Sequence, residues 1–179
     1  MNLREEILST HSKAHSVEIA EWIGKDKKRF DCLMQLFFGD EFTVVQRSAW
    51  IVSICTDSYP ELAFPYLKQM IEYCYKAGIH VAVKRNVTRV LAHIIIPGEL
   101  HEAAMNLCFE LLADQKETVA VRCWSMDILM QISSSYPEIK NELKHIIDDA
   151  LEYQELTAGF KSKARRILKS LKEKNRQVQ

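Results

Sequence analysis

The chain has little of what β structure needs. Five Gly and four Pro in 179 residues are too few for the many tight turns of an all-β fold. No run approaches the roughly 18 apolar residues that span a bilayer, and the opening Met-Asn-Leu-Arg-Glu-Glu-Ile-Leu has no apolar signal core. The five cysteines, Cys32, Cys55, Cys74, Cys108 and Cys123, are odd in number and form no Cys-x-x-Cys pair. That argues against a disulfide framework or a thiolate metal site. Their helical spacing reads as small apolar side chains in a reducing compartment, so a cytoplasmic protein is expected. A Gly-rich phosphate loop, a Gly-x-Ser-x-Gly elbow and a partnered Cys–His constellation are also missing. Catalytic residues, a metal and a cofactor are therefore not expected.

A net excess of either charge is lacking too. Lys and Arg balance Asp and Glu at 24 each, whereas a DNA-binding chain is usually strongly basic. The balance is local, however. Phe160 to Gln179 holds eight Lys or Arg and one Glu, a charge of +7, and the remainder of the chain carries −7. A basic C-terminal helix on an acidic body is expected. With 47% hydrophobic and 27% charged residues, the composition is that of a folded globular chain.

What is present is a repeat. Val81-Ala82-Val83-Lys84-Arg85 matches Val119-Ala120-Val121-Arg122 at an offset of 38. One step back lies Thr43-Val44-Val45-Gln46-Arg47, and one step forward lie Phe160, Ala164, Ile167 and Leu168. The apolar positions Val83, Val87, Val90, Leu91 and Ile94 align with Val121, Ser125, Ile128, Leu129 and Ile132. Those align in turn with Phe160, Ala164, Ile167, Leu168 and Leu171. The spacing is one face of an α-helix. A second column set, Phe30/Leu67/Ala104/Leu143 with its neighbours, recurs at 37, 37 and 39 and marks the first helix of each pair. Tyr59-Pro60-Glu61 and Tyr136-Pro137-Glu138 open first helices, while Gly39 and Gly78 close them.

The prediction is an all-α chain, a right-handed α-α superhelix of about four helix pairs. It forms one domain over 1–179. Residues 1–25 supply two short cap helices, Leu3–Leu8 and Val17–Ile23, and 26–174 supply the repeats. The pattern Asp114-x(4)-Val119-x-Val121-Arg122 within this period resembles the HEAT repeat family. The chain is also similar to small bacterial HEAT-like proteins carrying motifs such as His11-Ser12-Lys13-Ala14 and Gln46-Arg47-Ser48-Ala49-Trp50. That resemblance implies a fold and not an activity.

In such an array the second helices line the concave side. Their stripe opposite the core reads Ala82, Asn86, Arg89, His93, then Ala120, Trp124, Asp127, Gln131, then Lys163, Arg166, Ser170. One repeat earlier it is the less polar Val44, Ser48, Ile51, Cys55. Arg85, Asn86, Arg89, His93, Trp124, Asp127, Gln131, Lys163 and Arg166 are thus the candidate binding residues. The function expected is a non-enzymatic scaffold that binds a protein partner there. Arg89 and Asp127 share a repeat position and could pair, since packed helices sit about 8–10 Å apart. Alternatively Asp127 stands beside Trp124 in a cationic groove. HEAT-like alkylpurine DNA glycosylases place aromatic residues and a carboxylate in such a groove, so a nucleic-acid partner is the competing reading. Arg47 and Arg85 share a column that would tie neighbouring repeats. His11 and His15 are four apart, a metal-binding spacing, with no third ligand nearby. No membrane partner is expected, and the oligomeric state is left open.

Overall fold

The computed structural model describes residues 2–176, with side chains through Lys172. Among the described residues there are helices and turns and no strand. The α-helices are α1 (Leu3–Ser9), α2 (Lys13–Ile23), α3 (Lys27–Phe37), α4 (Phe42–Ser58), α5 (Leu67–Tyr73), α6 (Val81–His93), α7 (His101–Ala113), α8 (Val119–Ile132), α9 (Ile139–Tyr153) and α10 (Ala158–Arg176). Local chemistry sets several starts. Ser12 accepts from His15 N–H, Asp26 from Lys28 and Arg29 N–H, and His80 Nδ1 from Ala82 N–H, each satisfying donors that the first helical turn leaves free. Gly78 adopts φ 70° between α5 and α6, a left-handed conformation that costs a glycine little.

The chain divides into two compact units, Met1–Ile95 and Ile96–Gln179. In the first, α3 packs on α4, α5 on α6, and α4 on α6. The short pair α1–α2 stacks in the same way, α1 on α3 and α2 on α4. In the second, α7 packs on α8, α9 on α10, α8 on α10, and α7 on α9. The repeat columns form both cores. Phe30, Leu33, Met34, Phe37, Leu67, Met70, Val83, Val87 and Leu91 are buried in the first unit. Ala104, Leu107, Cys108, Val121, Ile128, Leu129, Leu143, Ile147, Phe160 and Ala164 are buried in the second.

Two expectations need correction. Pro60 opens a single 3-10 turn, Pro60–Leu62, and Pro65 sits inside another, Phe64–Tyr66. The α-helix of that repeat starts only at Leu67, because Pro supplies no N–H and its ring clashes with the preceding turn. The stripe Val44, Ser48, Ile51 and Cys55, expected to face away from the core, is also buried. α1 and α2 pack against α4 as well as α3 and α6 do, so that helix has apolar surroundings on most of its circumference. Burial pushes the Cys55 thiol up to about 12, which leaves it neutral and inert.

Candidate functional site: the second-helix faces

In the first unit the candidate residues lie on α6. Arg85 is exposed, and its guanidinium has no partner among the described residues. Arg89 Nη1 donates to Ser53 Oγ at 3.0 Å and Nη2 to Asp57 at 2.5 Å. Both partners are on α4, so Arg89 ties two successive second helices together. His93 donates Nδ1–H to the Arg89 carbonyl at 2.7 Å. Asn86 was expected on the open stripe but is buried, and its Nδ2 donates to the Ala82 carbonyl at 2.7 Å. A side chain so withdrawn offers nothing to a ligand.

In the second unit the candidates lie on α8 and α10. Lys163 donates to the Asp127 carboxylate, and its ammonium sits 5.6 Å from the centre of the Trp124 ring. Lys163 and Asp127 are 13% and 25% exposed, so solvent screens this pair less than it would a surface pair. Lys163 and Arg166 also act on the Cys123 thiol, which burial pushes up and these two cations partly pull back. Lys163 thus brings Trp124 and Asp127 together, and Arg166 is exposed on the next turn of α10. Gln131 is exposed one turn further along α8.

As far as Lys172 the exposed side of α10 is rich in basic residues. Phe160, Ala164, Ile167 and Leu171 point into the core, which leaves Arg165, Arg166, Lys169 and Lys172 exposed. From Ala158 to Lys172 there is no Asp or Glu. Arg165, Arg166 and Lys172 have no carboxylate partner among the described residues.

A sequence profile of the HEAT repeat domain matches residues 3–171. The chain belongs to the HEAT-repeat family. The match takes in α1 and α2, in keeping with their stacking on α3 and α4 as a further pair. No curated protein and no solved structure matches the chain. HEAT repeats generally act as interaction modules, which is the coarse function the family carries. Among the described residues, no helix is long and apolar enough to cross a membrane.

Three arginines of this HEAT array, Arg47, Arg89 and Arg122, serve its packing. Arg47 Nη1 donates to the carbonyls of Ile7 and Leu8, at 3.0 and 2.9 Å, in the last turn of α1. Arg122 is 4% exposed. Its Nε donates to the Leu112 carbonyl and its Nη2 to Gln154 Oε1, both at 2.9 Å, while its face lies 4.5 Å over Phe160. Burial lowers its basicity. The Leu112 carbonyl in the last turn of α7 and the Gln154 side-chain amide after α9 accept its hydrogen bonds in place of a carboxylate. Sequence reasoning noted Arg122 only as part of a motif. It missed Asp57 and Ser53 as Arg89 partners, although Asp127 and Lys163 repeat the Ser53–Arg89 spacing of 36.

His15 has both ring nitrogens engaged. Nε2 lies 3.0 Å from the Glu6 carbonyl and 3.3 Å from Ser9 Oγ, and Nδ1 lies 3.3 Å from the Glu18 carboxylate. His11 instead meets the edge of the half-buried Trp50, ring centres 6.5 Å apart. The two histidines thus point at different partners and do not form a pair. Among the described residues no group of three His, Cys, Asp or Glu could hold a metal.

Proposed function

We propose that this HEAT-repeat chain is a non-enzymatic interaction module. It binds an acidic segment of a protein partner through the second-helix face of its second unit. The observation that supports this is the group of exposed cations on α10. Arg165, Arg166 and Lys172 have no carboxylate partner among the described residues, and like charges at helical spacing cost a few tenths of a kcal/mol each. The favourable field at a helix C-terminus offsets only the last turn. Carboxylates from a partner would remove the repulsion along the whole row. The Lys163–Asp127 pair, with its ammonium over Trp124, holds α10 against α8, so the row is presented on a rigid support.

The test is affinity capture with the full chain and its R165E/R166E variant, followed by quantitative mass spectrometry. Partners that carry acidic segments should be recovered with the natural sequence, and those docked on α10 lost with the reversed charges. Unchanged recovery overturns the proposal. Base excision is disfavoured by the same geometry, because Lys163 holds Asp127 and caps Trp124, so neither stands open to a flipped base. A gel shift on duplex DNA at low and high salt separates the nucleic-acid reading. Real phosphate contacts weaken steeply with salt, and such a shift would replace the acidic protein by a polyanion.

A further inference from the structure

The first unit carries a second cationic surface, remote in sequence from α10 and not used by the proposal above. A groove of about 400 Å³ opens between α1 and α3. Its floor is apolar, made by Leu3, Leu36 and the half-buried indole of Trp22. Its rim is cationic, made by Arg4, Lys28 and Arg29. Arg4 is already paired, with Nε and Nη2 at 2.9 and 2.7 Å from Glu41. Lys28 is exposed, and its ammonium has no partner among the described residues. Arg29 lies 4.3 Å over the Trp22 ring, with Nη1 donating to the Trp22 carbonyl at 2.5 Å and Nε 3.4 Å from Asp26. That leaves its Nη2 edge without a partner among the described residues.

The charge here is costly to the fold alone. α3 opens on Lys27-Lys28-Arg29, and Lys25 lies just before it. Cations in a first turn oppose the helix dipole. Asp26 is the one carboxylate in this run; its Oδ1 accepts from the Lys28 and Arg29 backbone N–H groups and its Oδ2 meets Arg29 Nε. Lys28 and the Arg29 Nη2 edge are left to meet an external anion, and the floor suits an apolar side chain. Lys28, Cys32 and Leu36 follow one another along α3 over about 12 Å, two helical turns. This length suits a short peptide segment.

We propose that the α1–α3 groove is a docking site for an acidic segment of a protein partner. One large apolar side chain rests on Trp22, Leu3 and Leu36, and flanking carboxylates meet Lys28 and Arg29. The chain would then offer two separate acidic-partner surfaces, one in each unit.

Cys32 reports on the groove. It lies in the lining and is exposed, whereas Cys55, Cys74 and Cys108 are buried. The probe is a twelve-residue peptide with one Phe among Glu residues. Its two controls carry Lys for Glu, and Ser for Phe. Alkylation of Cys32 by N-ethylmaleimide in the full chain is followed by peptide mapping. At a peptide concentration about four times Kd, the Cys32 rate should fall about five-fold. The protection should fade with rising salt, and both controls should lose most of it. K28E changes an exposed side chain without a partner, so it should abolish protection while leaving the circular dichroism spectrum unchanged. The proposal is overturned if the Glu peptide at millimolar concentration leaves the Cys32 rate unchanged, or if the Lys peptide protects equally well. It is also overturned if dodecanoate protects Cys32 and the peptide does not, since the occupant is then a lipid anion.

Discussion

Replacing Arg122 with Met should destabilise the second unit by about 3 kcal/mol, a figure assembled from its contacts. The two hydrogen bonds of the guanidinium are charge-assisted, and such bonds contribute about 1.5–3 kcal/mol each. The contact with Phe160, shielded from water, adds about 1–2 kcal/mol. Against these stands the cost of keeping a cation at 4% exposure, which is several kcal/mol and is regained when Met replaces it. Met fills most of the aliphatic volume, but the Leu112 carbonyl is left without its donor. For a chain of this size about 3 kcal/mol corresponds to a fall in Tm of about 6–12 °C. Urea unfolding followed by far-ultraviolet circular dichroism measures the loss directly. Arg122→Lys should recover half of it at most, because one ammonium cannot span two acceptors or lie flat on a ring. An exposed control, Lys116→Met, should stay within about 0.5 kcal/mol of the natural chain. If Arg122→Met is as stable as the natural protein or more so, the buried guanidinium is a net burden and the reasoning fails.

Further outcomes follow from single contacts. Ser48 Oγ is buried with no hydrogen-bond partner among the described residues, so Ser48→Ala should be neutral or raise stability by up to about 1 kcal/mol in urea unfolding. Leu107 is 2% exposed in α7, and Leu107→Ala should cost about 2–5 kcal/mol by the same assay. His15 has its pKa raised above 6.5, first by the Glu6 carbonyl and, against the opposing effect of burial, by the Glu18 and Glu6 carboxylates. A raised value means the imidazolium is preferred in the folded state, so its stabilisation is complete below pH 6.5 and is lost as pH rises through the folded value. The stability gap between the natural chain and His15→Gln should therefore be larger at acid pH than at alkaline pH, and a gap constant with pH would contradict this.

The array was legible in the sequence because burial repeats wherever the helical period repeats. Ala104, Ile128 and Leu143 stand in the repeat columns, and all three are 0% exposed. Period and polarity could not reveal how much of a helix its neighbours cover. The stripe on α4 is apolar enough to signal burial, yet its column alignment with α6 and α8 places it on the open side; α1 and α2 cover it. Asn86 was misread for a related reason, since a polar residue that bonds its own helix four residues back looks like a surface residue in sequence. The Arg89 partners are not legible because side-chain reach does not follow the column alignment: Arg89 extends to residues 32 and 36 earlier. The groove between α1 and α3 left only a faint signal, the Lys27-Lys28-Arg29 run at a helix start.

The account rests on the basic outer side of α10 as the face a partner covers. Hydrogen–deuterium exchange of the full chain, with and without a partner captured through its acidic segment, tests this most directly. The account predicts slower exchange confined to α10 and the Trp124 turn of α8. Slower exchange on α7 and α9 with α10 unchanged would contradict it.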